Sequence, residues 1–132
     1  MVAELAGELA SYGIAETLQH DDLHDGQVFV HGGRHLVMDW GDACISHPFF
    51  TLSVTLDGVL AWGLDDEEHS VDVRPFQDAY LVPFRAVYDG DLDAAAVVAR
   101  RLGWACRVVN GHVPGEDAAT RARLGMFLTG SP

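Results

Sequence analysis

The chain has no lysine. Its 8 basic side chains are all arginine, set against 20 aspartates and glutamates, and the formal charge is −12 over 132 residues. Without a basic face to track phosphates, nucleic acid is excluded from the expected partners. An anionic membrane surface is excluded for the same reason. The surplus of negative charge is compatible with cationic small molecules and divalent metals. Cysteine is also scarce: Cys44 and Cys106 lie far apart and match no metal-ligand spacing, which reads as two reduced thiols in a cytoplasmic protein. No apolar run approaches the roughly 20 residues of a membrane span. The segment Met1 to Ala10 carries Glu4 and Glu8 but no basic residue, so it is not expected to be a signal peptide.

What is present is a globular composition, with 48% hydrophobic residues, enough for one domain with a core. Such a length does not provide the core of a full two-lobed enzyme. Apolar residues at Val2, Leu5, Ala6, Leu9 and Ala10 have helical spacing, and Gly13 is a natural stop. Thr17 to His20 reads as the approach to an acidic loop. Gln27 to His31 and Arg34 to Asp39 alternate as two strands, with Gly32-Gly33 as a two-residue hairpin turn. That Gly pair precedes a strand and has no following lysine, so it is not a phosphate-cradling loop.

From Pro48, the residues Phe49, Leu52, Val54, Leu56, Val59 and Leu60 predict a helix buried on nearly all sides. Leu64 to Asp72 reads as an acidic loop. Pro75 to Tyr88 predicts a second helix with a kink at Pro83. A third helix capped by Asp91 runs to about Asn110 and stops at Gly111. After a break at Pro114-Gly115, Glu116 to Leu128 predicts a last amphipathic helix. The expected class is α+β, mostly helical, with one small antiparallel element.

Two acid blocks flank the hairpin: His20-Asp21-Asp22-Leu23-His24-Asp25-Gly26-Gln27 and Val37-Met38-Asp39-Trp40-Gly41-Asp42. Carboxylates at the two ends of a hairpin can share one site, which suits phosphoryl transfer. The first block resembles the protein-kinase catalytic loop, and Asp39-Trp40-Gly41 falls where kinases carry their metal aspartate. More closely, the ordered pair resembles the aminoglycoside phosphotransferase and choline kinase-like family, over about residues 15 to 62. Its members show H-G-D-L-H-x-x-N, a hairpin, I-D-W-x-D, and a D-P segment that opens a helix.

The resemblance implies a protein kinase-like C-terminal lobe, residues 1 to 132 forming a single partial domain without the nucleotide-binding lobe. It also implies roles. Asp22 would be the catalytic aspartate facing a substrate hydroxyl, with His20 bracing the catalytic loop. Asp39 would coordinate Mg²⁺ bridging the phosphates of ATP. Gln27 stands at the second metal-ligand position, normally asparagine, and His24 at a supporting position of the cofactor site. The D-P-x-x-D-L-A segment reads His47-Pro48-Phe49-Phe50-Thr51-Leu52-Ser53. Both acids are gone, and Thr51 is left to hydrogen-bond the catalytic-loop backbone.

The implied function is ATP-dependent phosphorylation of a small-molecule hydroxyl, with the acidic surface favouring a cationic acceptor and the missing lobe or a second copy as partner. An alternative is a degenerate, non-catalytic kinase-like module that self-associates through the apolar surface the missing lobe would cover. A metal hydrolase built on His20, Asp21, Asp22 and His24 is disfavoured, because Gly26 and the following strand make this stretch a loop. Asp21 and Asp25 are expected to be solvated, as is the run Asp65-Asp66-Glu67-Glu68. Asp42 is expected to brace the loop, and Trp40 to pack in the core beneath it. His31, His35, His69 and His112 have no partner at ligand spacing.

Overall fold

A computed structural model describes residues 1–59, 70–115 and 117–130. Among these are four α-helices, α1 (Val2–Ser11), α2 (Arg74–Arg85), α3 (Leu92–Asn110) and α4 (Asp117–Thr129), and a small β region. The strands are β1 (Thr17–Gln19), β2 (Val28–His31), β3 (Arg34–Val37) and β4 (Cys44–Ser46). The class is therefore α+β and mostly helical, as the sequence pattern implies.

α3 is the centre of the molecule. Its buried face carries Leu92, Ala95, Ala96, Ala99, Leu102 and Trp104, and it packs against α1, α4, α2 and the segment after Pro48. Phe49, Leu52, Leu56 and Leu81 complete the interior, each no more than 2% exposed. Asp91 caps α3, its side chain accepting from the Ala94 amide at 2.9 Å. Gly13 ends α1 in the left-handed region (φ 68°), taking up the frayed carbonyl of Ala10 at 3.1 Å.

The segment expected as one helix from Pro48 is helical and buried, but wound differently. It opens as a 3₁₀ turn (Pro48–Phe50), runs on through Thr51 and Leu52, and widens to a π-helix (Ser53–Val59); Leu60 lies outside the described residues. The reason lies in its close approach to α3. Ser53 Oγ donates to the Arg100 carbonyl at 2.7 Å, and a Cβ on Gly103 would lie 2.0 Å from that hydroxyl and 2.9 Å from the Phe50 carbonyl oxygen. Only glycine lets the two backbones meet there. Asp57, 1% exposed, forms an ion pair with Arg100 across the same contact.

Helix α2 starts with Pro75 in its first turn, contains Pro83, and ends at Arg85, short of the expected Tyr88. The acidic run Asp65-Asp66-Glu67-Glu68 and His69 lie outside the described residues. A further difference concerns Thr17 to His20, expected as a loop approach. Thr17–Gln19 is instead a strand, pairing antiparallel with Cys44–Ser46 (Leu18 opposite Ile45). This second sheet joins the stems of the two acid loops. The hairpin itself is as expected: β2 pairs with β3, Phe29 opposite Leu36, and Gly32 and Gly33 both have positive φ (56° and 74°), as a type I′ turn requires. Among the described residues, no helix is long and apolar enough to cross a membrane.

Candidate active site

The β1–β4 pair and the hairpin bring the two acid blocks to one end of α3. At the branch point of each block an aspartate adopts a left-handed backbone: Asp21 (φ 65°) and Asp39 (φ 57°). Aspartate tolerates this region because its short polar side chain can bond locally. Each such residue turns the chain sharply at the end of a strand.

The first block is tied to the helical core by one cation. Arg107 of α3, 5% exposed, donates from Nη2 to Asp22 Oδ1 at 2.9 Å and from Nη1 to Asp42 Oδ2 at 2.8 Å. Asp21 Oδ2 lies 3.7 Å from the same Nη1 and accepts from Asn110 Nδ2 at 3.4 Å. Asp21 was expected to be a solvated acid; it is 2% exposed. Burial is the main reason its carboxyl is pushed above the usual range, with Asn110 and Arg107 opposing that push and Asp42 and Asp22 adding to it. Asp42 braces the loop as expected, through Arg107, and Asp25 is exposed as expected.

His20, buried, bonds through Nε2 to the Met38 carbonyl at 2.6 Å, and its ring lies 4.9 Å from that of Trp40. It therefore couples the catalytic-type loop to the second acid loop, which is a bracing position. Trp40 is not core: it is 48% exposed, held by Nε1 donating to the Val37 carbonyl at 3.0 Å. It lies in the 3₁₀ turn (Trp40–Asp42) that follows the hairpin, with His20 against one side of its ring.

Anchoring from the Pro48 segment also differs from expectation. The Thr51 hydroxyl is buried without a hydrogen-bond partner. One turn later, Thr55 Oγ1 donates to the Leu23 carbonyl at 2.8 Å. The π-winding moves this contact along the helix. His47, by contrast, caps the segment, its Nδ1 accepting from the Phe49 amide at 3.2 Å. Burial pulls the His47 ring down to about 4, which keeps Nδ1 a free acceptor.

The second cluster contains His24, Gln27 and Asp39. His24 Nδ1 accepts from the Gly26 amide at 3.1 Å. The terminal nitrogen of Gln27 lies 3.2 Å from His24 Nε2 and 3.3 Å from Asp39 Oδ2. As placed, the Gln27 amide donates from Nε2 to Asp39 Oδ2. A half-turn of the terminal amide exchanges its nitrogen and oxygen, and would set the amide oxygen beside that carboxylate with room for a cation between the two. Neighbouring oxygens on octahedral Mg²⁺ are roughly 3 Å apart, from bonds of about 2.1 Å. The donor set is thus one that fits Mg²⁺, despite the methylene by which glutamine exceeds asparagine. Among the described residues, no group of three or more His, Cys, Asp or Glu side chains could hold a metal by itself; His20 bonds to the Met38 carbonyl, Asp21 and Asp22 pair with Arg107, and His24 accepts from the Gly26 amide. Mg²⁺ bound to nucleotide needs only one or two protein carboxylates.

Sequence reasoning brought together His24, Gln27 and Asp39, and placed Asp22 at the same end of the molecule. It missed Arg107, Asn110 and Thr55. Arg107 stands 85 residues from Asp22, and the only local signal was an arginine near the end of an apolar helix.

No curated protein and no solved structure matches the chain. A family model described as "Phosphotransferase enzyme family" matches residues 2–98, a span that holds both acid blocks, the hairpin and the Pro48 segment. The chain belongs to this phosphotransferase family.

Proposed function

We propose that the chain forms the acceptor and metal side of an ATP-dependent small-molecule phosphotransferase, arranged as a protein kinase-like C-terminal lobe. The observation that carries this reading is the pairing of Gln27 with Asp39 across the base of the hairpin, next to the loop that presents Asp22. When bound, Mg²⁺ and ATP supply the transferable phosphoryl group and neutralise its developing charge. Asp39 and Gln27 would hold the metal, and His24 would fix the Gln27 amide. Asp22 would orient the acceptor hydroxyl and take its proton as oxygen attacks. Arg107 keeps Asp22 in a fixed rotamer, so that the acid is pre-positioned. His20 and Thr55 brace the loop from opposite sides.

The hairpin exposes Phe29, Val30, Leu36 and Met38, each at least half exposed. Such a surface suits the contact with a nucleotide-binding lobe, which would bring the phosphate-pairing cation this chain lacks. The two free thiols suit a reducing, cytoplasmic setting.

The test is twofold. Calorimetric titration with Mg²⁺ and ATP should give weak nucleotide binding, and Mg²⁺ should shift the side-chain amide resonances of Gln27 in the wild type but not in Asp39→Asn. With a nucleotide lobe supplied, phosphoryl transfer to hydroxyl acceptors should fall about 10²-fold or more in Asp22→Asn. Undiminished transfer by that variant would sink the assignment of Asp22.

A further inference from the structure

Next to Asp22 the structure holds a cleft of about 250 Å³, lined by Asp22, His24, Gly58, Trp104, Arg107 and Arg123 among others. It is slightly smaller than sites for drug-sized ligands, so it suits a compact metabolite. We infer that it binds an acceptor carrying an anionic group, of the hydroxycarboxylate class, with the carboxylate on Arg123 and the hydroxyl toward Asp22.

Three observations converge on an anion. Arg107 already has carboxylate partners on three sides. Arg123 differs: its Nη1 donates to the Gly111 carbonyl, and among the described residues no carboxylate lies within ion-pair distance of it. Its positive charge at the cleft is therefore not neutralised by an acid among the described residues.

Second, the two guanidinium groups are brought together. A Cβ on Gly111 would sit 2.9 Å from Arg123 Nη1 and 3.2 Å from Arg107 Nη2. Gly111 ends α3 at φ −94°, where any residue is allowed, so its lack of a side chain serves this crowding rather than a turn. Like charges so close repel, and a bound anion relieves the repulsion.

Third, the cleft is short of acceptors. Its wall holds two guanidinium groups, those of Arg107 and Arg123, against one carboxylate, that of Asp22. A carboxylate offers about four acceptor sites and no donor. A cationic acceptor would face both guanidinium groups. The chain's net charge of −12 favours a cation at long range, but charges beyond about 8 Å are largely screened at physiological ionic strength. The groups lining the cleft decide.

This inference rests on the phosphotransferase reading only in placing the hydroxyl at Asp22. The test uses the full chain at low ionic strength, with D-glycerate, glycerol and choline as probes in calorimetry and in the Trp104 indole N–H resonance. Glycerate should bind at least about 10-fold more tightly than glycerol or choline, and shift the indole signal. Arg123→Gln should weaken glycerate by about 10-fold or more, while Arg123→Lys retains part of the affinity. Circular dichroism of both variants establishes that they are folded. Choline binding as tightly as glycerate, unchanged affinity in Arg123→Gln, or no glycerate binding at tens of millimolar would each overturn the proposal. If glycerate binds through Arg123 yet, with a nucleotide lobe supplied, no phosphoryl group reaches any acceptor, the anion site stands and the phosphotransferase reading falls.

Discussion

The two acid loops sit at the ends of one hairpin but in opposite settings. Asp21 and Asp22 are drawn into the helical body by a single buried arginine of α3, with Thr55 holding the backbone of the same loop. Asp39 is exposed, and its carboxylate accepts from the Gln27 side-chain amide on the neighbouring loop. Both aspartates of the first loop are held by tertiary ion pairing; the second loop shares that arginine only at Asp42, and Asp39 itself is left to local geometry. A proton acceptor gains from a rotamer set by its surroundings. A metal ligand gains from oxygens left open to the ion and to nucleotide. The contrast fits the two proposed tasks, and it gives each loop a different vulnerability.

Replacing Arg107 breaks that contrast most severely. Arg107→Met leaves three carboxylates clustered without their cation, one of them buried. Loss of one partner of such a buried network costs about 3–5 kcal/mol, so urea unfolding should show a drop of that size. A change under 1 kcal/mol would mean that the acids are solvated after all.

A smaller effect is expected at Thr55. Thr55→Val preserves shape and removes the bond to the Leu23 carbonyl, at about 0.5–1.5 kcal/mol. Amide exchange in residues 22–25 should quicken while the hairpin is unaffected. Equal quickening in both would show that the loops are not independently held.

The smallest effect belongs to Asp39→Asn. At an exposed position it should alter stability by no more than about 0.5 kcal/mol in the absence of metal. The same unfolding assay repeated with Mg²⁺ and ATP sharpens the comparison, since any stabilisation of the wild type should be missing in the variant. A large loss without ligand would place Asp39 among the structural acids instead.

Much of this arrangement is legible in the chain because its signals are local. The Gly32-Gly33 turn, the Asp91 cap, Pro75 in a first helical turn and the α3 stripe each depend on neighbours a few residues away. The three-residue strands β1 and β4 were not legible, because strands so short carry no alternation to read. The burial of Asp21 was hidden for another reason: an acid next to a candidate catalytic aspartate looks solvated until a distant cation is placed beside it. The π-winding after Leu52 and the shift of anchoring from Thr51 to Thr55 follow from how closely Gly103 lets α3 approach.

By itself, the sequence determined the order of the elements, the hairpin between two acid blocks, and membership in a phosphotransferase family. Local propensity, turn stereochemistry and motif spacing suffice for these. Tertiary structure alone decided which acids are bound and which remain open. That depends on Arg107, whose charge reaches the site only when α3 packs against the first loop, and no spacing along the chain encodes such a meeting.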